Sequence, residues 1–278
     1  MSEDANLPAY FERIGFAGSI APNLQTLQAL HELHPAAIPF ENLAPLMGDP
    51  VLLDKVSLEG KLLRDRRGGY CFEHNMLFWR VLRELEYTVR AHFARVLWGH
   101  PEGAQRPRDH MILTLEINGV PYLADVGFGG LTLTAPLRLR SGLEQETPHE
   151  KFRITGDEPN FVLEAQIGQD WRPLYAFDLT SMIEADFEAA NFFASTHPEA
   201  RFRNHLVAAR TEKGKRFNLL DNRLTIHSTG QDREQRLIEG LEELRTVLAE
   251  TFGIALPPAE QLDPALERIL ARAADQAA

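Results

Sequence analysis

Apolar positions recur at helical spacing through the first third of the chain. Leu7, Tyr10, Phe11 and Ile14 fall on one face, and Leu24, Leu27 and Leu30 follow Pro22-Asn23, a pair suited to a helix start. Pro35 and Pro39 bracket an expected break. A further helix is predicted to open near Cys71, just after Gly68-Gly69, and to run to about Glu86. There Leu77, Phe78, Val81, Leu82 and Leu85 form an apolar stripe opposite Arg80, Arg83, Glu84 and Glu86. Residues 1 to about 86 therefore read as helical.

From about residue 88 the period changes to two. Val89, Ala91 and Phe93 alternate with Arg90, His92 and Ala94; Met111, Leu113, Leu115 and Ile117 alternate with Ile112, Thr114 and Glu116. Asn118-Gly119 then supplies a two-residue hairpin turn. Further strand pairs flank Gly168-Gln169-Asp170 (Phe161 to Gln166 with Arg172 to Phe177) and Lys213-Gly214 (His205 to Thr211 with Arg216 to Leu220). A helical pattern returns with Leu237, Ile238, Leu241, Leu244 and Leu248 and stops at Pro257-Pro258, and a short helix around Ala265 to Ala273 closes the chain. Helices, then strands, then mixed elements, with no repeat or flexible linker between them, predict an α+β fold of packed parts.

At 278 residues, 44% of them hydrophobic and 25% charged, the chain can bury one large core or several small ones, which excludes global disorder. The net charge of −11 offers no cationic field for a polyanion, so nucleic acid is not an expected partner. A small anion can still bind through local N–H groups and a few basic side chains, because charges beyond about 10 Å are screened. A single cysteine allows neither an internal disulfide nor a Cys-only zinc site. The acidic opening through Asn6 lacks the order of a secretory signal and no stretch of 18 residues is mostly apolar, so the expectation is a cytoplasmic protein with no membrane span. The sequence carries no signal of oligomeric state.

The cysteine lies in Arg66-Arg67-Gly68-Gly69-Tyr70-Cys71-Phe72-Glu73-His74-Asn75. The glycine pair permits close backbone approach or a positive φ, and the first turn of a helix favours the thiolate. Such a nucleophile needs a base and a group to orient it. With Asn118-Gly119 as the turn, His110 falls opposite Gly127 and Ile112 opposite Asp125, which makes His110 and Asp125 diagonal neighbours on one face. Diagonal pairs lie about 7 to 8 Å apart at Cα, within reach of a side-chain hydrogen bond; a one-residue slip would separate them. Gly127-Phe128-Gly129-Gly130 has neither dinucleotide nor Walker spacing, and reads as a glycine turn whose N–H groups can cradle an anion.

Three segments together resemble the arylamine N-acetyltransferases: Ile38-Pro39-Phe40-Glu41-Asn42-Leu43, then Arg67 through Asn75, then Asp125-Val126-Gly127-Phe128-Gly129. The steps of 39 residues from Cys71 to His110 and 15 from His110 to Asp125 are similar to that family's Cys-His-Asp spacing. Tyr10 to Phe16 and Ser195-Thr196-His197-Pro198 through Phe202 extend the resemblance over nearly the whole chain, and the lack of a long interdomain insertion resembles the prokaryotic type. The resemblance implies a helical domain over 1–86, a β-barrel-like domain over 87–190 and an α/β lid over 191–278, around a core like that of cysteine proteases. It implies acetyl-CoA as co-substrate, with acetyl passing through Cys71 to small arylamines, arylhydroxylamines or hydrazines. By matched position Cys71 is the nucleophile, His110 the base and Asp125 its orienter. Gly127, Phe128, Gly129 and Gly130 would line the acyl and CoA region, and Phe40, Phe72, Phe128 and Phe202 the acceptor pocket. Asp109 departs from the small hydroxyl residue often found before the family's histidine.

Two rivals are weighed. A cysteine peptidase or transglutaminase-like amide exchange would use the same order of residues, but the Pro-Phe-Glu-Asn-Leu segment argues against it. A non-catalytic protein binding CoA or an aromatic ligand would bind without labelling the thiol. His31 with His34, and Cys71 with His74, have metal-ligand spacing, yet the Leu-rich setting and the absence of a second cysteine predict no metal. Glu41 with Arg67 reads either as a contact to the site or as a structural ion pair, and Lys213, Lys215 and Arg216 either as contacts to CoA phosphates or, more commonly for such positions, as a solvated hairpin tip.

Overall fold

A computed structural model describes residues 5–277; the first four residues of the acidic opening lie outside the described residues. The first elements follow their caps. Asn6 Oδ1 accepts the Ala9 N–H at the start of α1 (Leu7–Ile14), and Asn23 Oδ1 accepts the Thr26 N–H at the start of α2 (Leu24–Ala37). The break expected at Pro35 does not occur. Proline removes only its own N–H bond, to the His31 carbonyl, and α2 continues until the Ile38 N–H bonds His34 O and Pro39 turns the chain. Next come β1 (Phe40–Glu41), α3 (Leu43–Met47), α4 (Lys55–Leu58) with a π-helical continuation over Glu59–Arg64, and α5 (Cys71–Glu84).

The middle of the chain is one antiparallel sheet. Its strands are β2 (Val89–Val96), β3 (His110–Ile117), β4 (Val120–Ala124), β5 (Leu137–Arg138), β6 (Glu144–Glu146), β7 (Lys151–Asp157), β8 (Asn160–Ile167) and β9 (Asp170–Phe177), in the spatial order β5-β4-β3-β2-β9-β8-β7-β6. The two edges meet through a side chain: Gln145 accepts from the Arg138 N–H at 2.7 Å and donates to the Arg138 carbonyl at 3.0 Å, so the barrel is nearly closed. Period-two alternation sends Ile112, Leu123, Phe152, Leu163 and Tyr175 into the barrel, while Ala91, Met111, Leu113 and Leu115 join the cluster built around α5.

The remainder comprises α6 (Glu184–Thr196), α7 (Arg201–Asn204), β10 (Val207–Glu212), β11 (Lys215–Leu220), β12 (Arg223–Ser228), β13 (Glu234–Leu237), α8 (Leu241–Thr246), a π-helical turn Val247–Thr251 and α9 (Ala259–Ala277). A second sheet runs β1-β10-β11-β12-β13, so a strand from the first part of the chain forms its edge. The boundary expected between residues 190 and 191 falls inside α6, whose buried Phe187 packs on Phe72, Trp79 and Phe93 in the first core. Leu237 and Ile238, expected in a helix, end β13 and lead out of it, because α8 begins only after Gly240. The last helix is longer than expected and carries Pro264 in its first turns. No described helix is long and apolar enough to cross a membrane.

Arg216 is not a solvated residue. Its side chain is 2% exposed, pairs with Glu150 at 2.6 Å and donates to the Thr132 carbonyl at 2.9 Å. His149 adds bonds to Thr134 Oγ1 and to the carbonyls of Glu212 and Lys215, so the second sheet is fastened to the barrel beside the glycine turn at 127–130.

Candidate active site

Cys71 is the first residue of α5, and the chain leading into it is held by backbone contacts. The Gly69 N–H bonds Pro39 O, the Glu41 N–H bonds Gly69 O, and the Tyr70 N–H is received by Glu73 Oε2 at 3.0 Å. The Ile38 to Leu43 segment and the Arg67 to Cys71 segment thus lie side by side. The glycine pair serves this close approach and not a positive φ: a Cβ on Gly68 would stand 2.0 Å from the Pro39 oxygen. Arg67 is fixed by Glu41, Nη2 to Oε1 at 2.8 Å, and the other Glu41 oxygen takes the Leu43 N–H. Glu41 is fully buried in this ion pair and Arg67 half-buried.

His110 opens β3, and Asp125 follows β4. The hairpin register pairs Leu113 with Ala124, so Ile112 faces Asp125 one step beyond the ladder, as the Asn118-Gly119 turn predicts. His110 Nε2 donates to Asp125 Oδ2 at 2.7 Å. A carboxylate can only accept, so the neutral imidazole keeps Nδ1 as its free acceptor. Asp125 is fully buried, and its second oxygen takes Asn75 Nδ2 and the Gly127 N–H, both at 2.9 Å. Although burial alone raises the carboxyl, His110 and these donors hold it below its ordinary value.

The thiol points to the same place: Cys71 Sγ donates to the carbonyl of Asp109, the residue before His110, at 3.7 Å. Burial pushes the thiol well up, and the carboxylates of Asp109 and Asp125 add to this, while the Phe72 N–H at the helix start pulls it down. Only 5% of Cys71 and 2% of His110 are exposed, so water has little access.

Around this core the expected pocket residues divide. Phe128 packs on His110 (ring centres 5.3 Å apart) and on Tyr175, whose ring also lies 5.1 Å from His110. Phe40 stacks on His74 and lies 6.0 Å from Phe202, which meets Tyr70 edge-on. Phe72 is fully buried among Tyr70, Phe93 and Phe187, so its ring belongs to the core and not to the group formed by Phe40 and Phe202. Gly127 packs against the nucleophile helix, where a Cβ would come within 3.0 Å of Asn75 Nδ2 and Cys71 O; Gly130 sits equally close to Asn218, and Gly129 takes φ +85°.

Two supporting residues carry no role in the sequence reading. Asn75, one turn after Cys71, also donates to Met111 O at 2.7 Å and accepts the Val126 N–H at 3.0 Å. Its four-residue step from Cys71, which places both on one helix face, is the signal that could have marked it. His31 accepts the Asp125 N–H on Nε2 at 3.1 Å, and nothing local in the sequence connects the two. His34 and His74 bond one another at 2.9 Å, Tyr10 bonds His34, and His74 bonds Pro39 O. The pairs with metal-ligand spacing are thus engaged within the protein. No group of three or more His, Cys, Asp or Glu side chains among the described residues could hold a metal ion.

The family described as N-acetyltransferase matches residues 23–261. The arylamine N-acetyltransferase of Escherichia coli K12 is 41% identical over 252 residues, covering 90% of this chain and 89% of its own. That of Mycobacterium tuberculosis H37Rv is 41% identical over 274 residues, 96% of each chain. The solved structure of Mycobacterium marinum arylamine N-acetyltransferase in complex with CoA superposes with a TM-score of 0.91 at 38% identity, over 95% of this chain and 99% of that one.

Proposed function

The chain belongs to the arylamine N-acetyltransferase family, and from that premise we propose that Cys71, His110 and Asp125 carry an acetyl group from acetyl-CoA to a small arylamine, arylhydroxylamine or hydrazine. The observation that carries the assignment is the buried His110 to Asp125 bond of 2.7 Å beside a thiol that reaches the carbonyl preceding His110.

In the first half-reaction Cys71 Sγ gives its proton to His110 Nδ1 and attacks the acetyl carbonyl. The carbon–sulfur bond to CoA breaks as His110 returns the proton to the CoA sulfur, leaving the acetyl group on Cys71. In the second, the acceptor nitrogen attacks that thioester, His110 takes an N–H proton, and the Cys71 sulfur leaves and is reprotonated. Asp125 keeps Nδ1 facing this exchange and balances the imidazolium. N–H groups in the first turn of α5 suit the tetrahedral oxyanion, where one such donor is worth about 2.7 to 4 kcal/mol in a well-studied protease.

The residues suit both substrates. The turn at 127–130 offers close backbone to an acyl-CoA, and Phe40, Phe128 and Phe202 offer aromatic faces to a flat amine. The three-part division of 1–86, 87–190 and 191–278, moved at its second boundary to keep α6 whole, puts the nucleophile on a helix of the first part and its base and orienter on the barrel. A cytoplasmic setting supplies acetyl-CoA and keeps the thiol reduced. Peptide cleavage and amide exchange draw no support from the relatives.

Intact mass after incubation with acetyl-CoA tests the proposal. One acetyl group on the wild-type chain, absent from Cys71→Ser and removed by an added arylamine or hydrazine, is the expected result. An unlabelled wild-type thiol overturns it.

A further inference from the structure

A second carboxylate, which the proposed reaction does not use, belongs to the residue whose backbone carbonyl receives the thiol. The Asp109 carbonyl receives Cys71 Sγ at 3.7 Å, and the charge of the Asp109 carboxylate, like that of Asp125, opposes ionisation of the thiol. Its Oδ1 is buried without a hydrogen-bond partner among the described residues. Its Oδ2 has, among the described residues, a long ion pair, 3.6 Å to Arg106 Nη2. The other basic group of this stretch is engaged elsewhere: Arg108 pairs with Asp178 at 2.7 Å. The Asp109 side chain is 27% exposed, against 2% for His110, so it forms the solvent-facing edge of the reacting pair.

The ionisable groups whose charges reach Asp109 are Arg106 and His100 from its own connection between β2 and β3, His110 from β3, Arg201 from α7 and Cys71 from α5. Burial raises its carboxyl while Arg106, His110 and His100 oppose this. A partly buried carboxylate with an unused oxygen is an acceptor for N–H groups and a repulsive neighbour for anions.

Resting on the transferase reading above, we infer that Asp109 is a specificity-determining residue that favours acceptors presenting N–H donors or positive charge beside the reacting nitrogen, hydrazines among them, and disfavours acceptors bearing a carboxylate.

The test compares 4-aminobenzamide with 4-aminobenzoate, which share shape and differ in charge, in the wild type, Asp109→Asn and Asp109→Thr. The amide-to-acid ratio of kcat/KM is expected to fall about tenfold in both variants, the order of repulsion between like charges a few ångströms apart at a partly solvated site. A second readout needs no transfer. The rate of Cys71 alkylation by iodoacetate relative to iodoacetamide is expected to rise by a similar factor, and having two uncharged variants guards against one that fails to fold. Unchanged ratios in folded variants overturn the inference. If the wild-type thiol takes no acetyl group the transferase reading falls, and the alkylation ratio alone then decides whether the Asp109 charge acts at the thiol.

Discussion

Asn75 Nδ2 lies 2.9 Å from Asp125 Oδ1, a bond that ties the helix carrying the thiol to the carboxylate that orients the imidazole. The same amide donates to Met111 O and accepts the Val126 N–H, so one fully buried side chain spans α5, β3 and the start of the glycine turn. The spacing of Cys71, His110 and Asp125 is set by this clamp as much as by the strands.

Asn75→Ala should therefore harm both fold and site. Removing the amide leaves buried groups of Met111, Asp125 and Val126 without their partner, at about 1 to 3 kcal/mol for each unsatisfied group. The expected loss is about 3 kcal/mol in urea unfolding, with Cys71 acetylation slowed about a hundredfold in the fraction that remains folded. Native stability with full acetylation would deny the clamp.

Asp125→Asn separates orientation from binding. The amide can occupy the same space but can donate to His110 Nε2, which favours the tautomer whose proton sits on Nδ1 and blocks acceptance of the thiol proton. Single-turnover acetylation of Cys71 should drop about 10³- to 10⁴-fold while CoA affinity, measured by calorimetry, changes less than about threefold. A matching collapse of affinity and of the thermal transition would make Asp125 chiefly structural.

The ion pair of Arg216 with Glu150 should contribute strongly to seating the second sheet on the barrel. Arg216 is 2% exposed, and Glu150→Gln leaves that guanidinium buried without a counter-charge. The expected cost is about 3 to 5 kcal/mol by denaturant titration. Glu150→Gln with Arg216→Met should recover part of it, since the uncompensated charge is then gone. A double variant no better than the single one would locate the cost in packing instead.

Much of this architecture is legible in the chain because it is periodic or local. The stripe from Leu77 to Leu85 marks α5, and Asn118-Gly119 sets the register that brings His110 to Asp125. What escapes is non-local or ambiguous. Leu237, Ile238 and Leu241 fit helical spacing equally well whether or not Gly240 intervenes, and it is the pairing of β13 with β12, extended by the Ile238 N–H bond to Asn222 O, that shows which side of the glycine is strand. β1 is two residues long and gains its identity from β10, far along the chain. His31 meets Asp125 across 94 residues, a contact decided by how α2 packs and not by any pattern around either residue. Pro35 shows the opposite failure, since a local rule that usually breaks a helix is overridden within α2.

The histidines behind the site set a pH limit on the fold. Pro39 O can only accept, so His74 carries its proton on Nε2, His34 donates from Nε2 to His74 Nδ1, and Tyr10 donates to His34; each ring is neutral. His31 is neutral as well, since its Nε2 accepts the Asp125 N–H. Burial lowers His31 and His74 from 6.5 to about 4 and holds His34 well below its ordinary value. Between pH 6.5 and 4 the unfolded chain thus binds protons that the native protein does not. Stability is complete above the unfolded value and is lost as pH falls, by about 1.4 kcal/mol per pH unit for each such histidine. Urea midpoints taken from pH 7.5 down to pH 4.5 should fall steeply below pH 6.5. His31→Gln keeps an acceptor for the Asp125 N–H and cannot titrate, so its slope should be shallower by about one histidine's share. An identical slope in that variant would show that His31 does not stay neutral in the native protein.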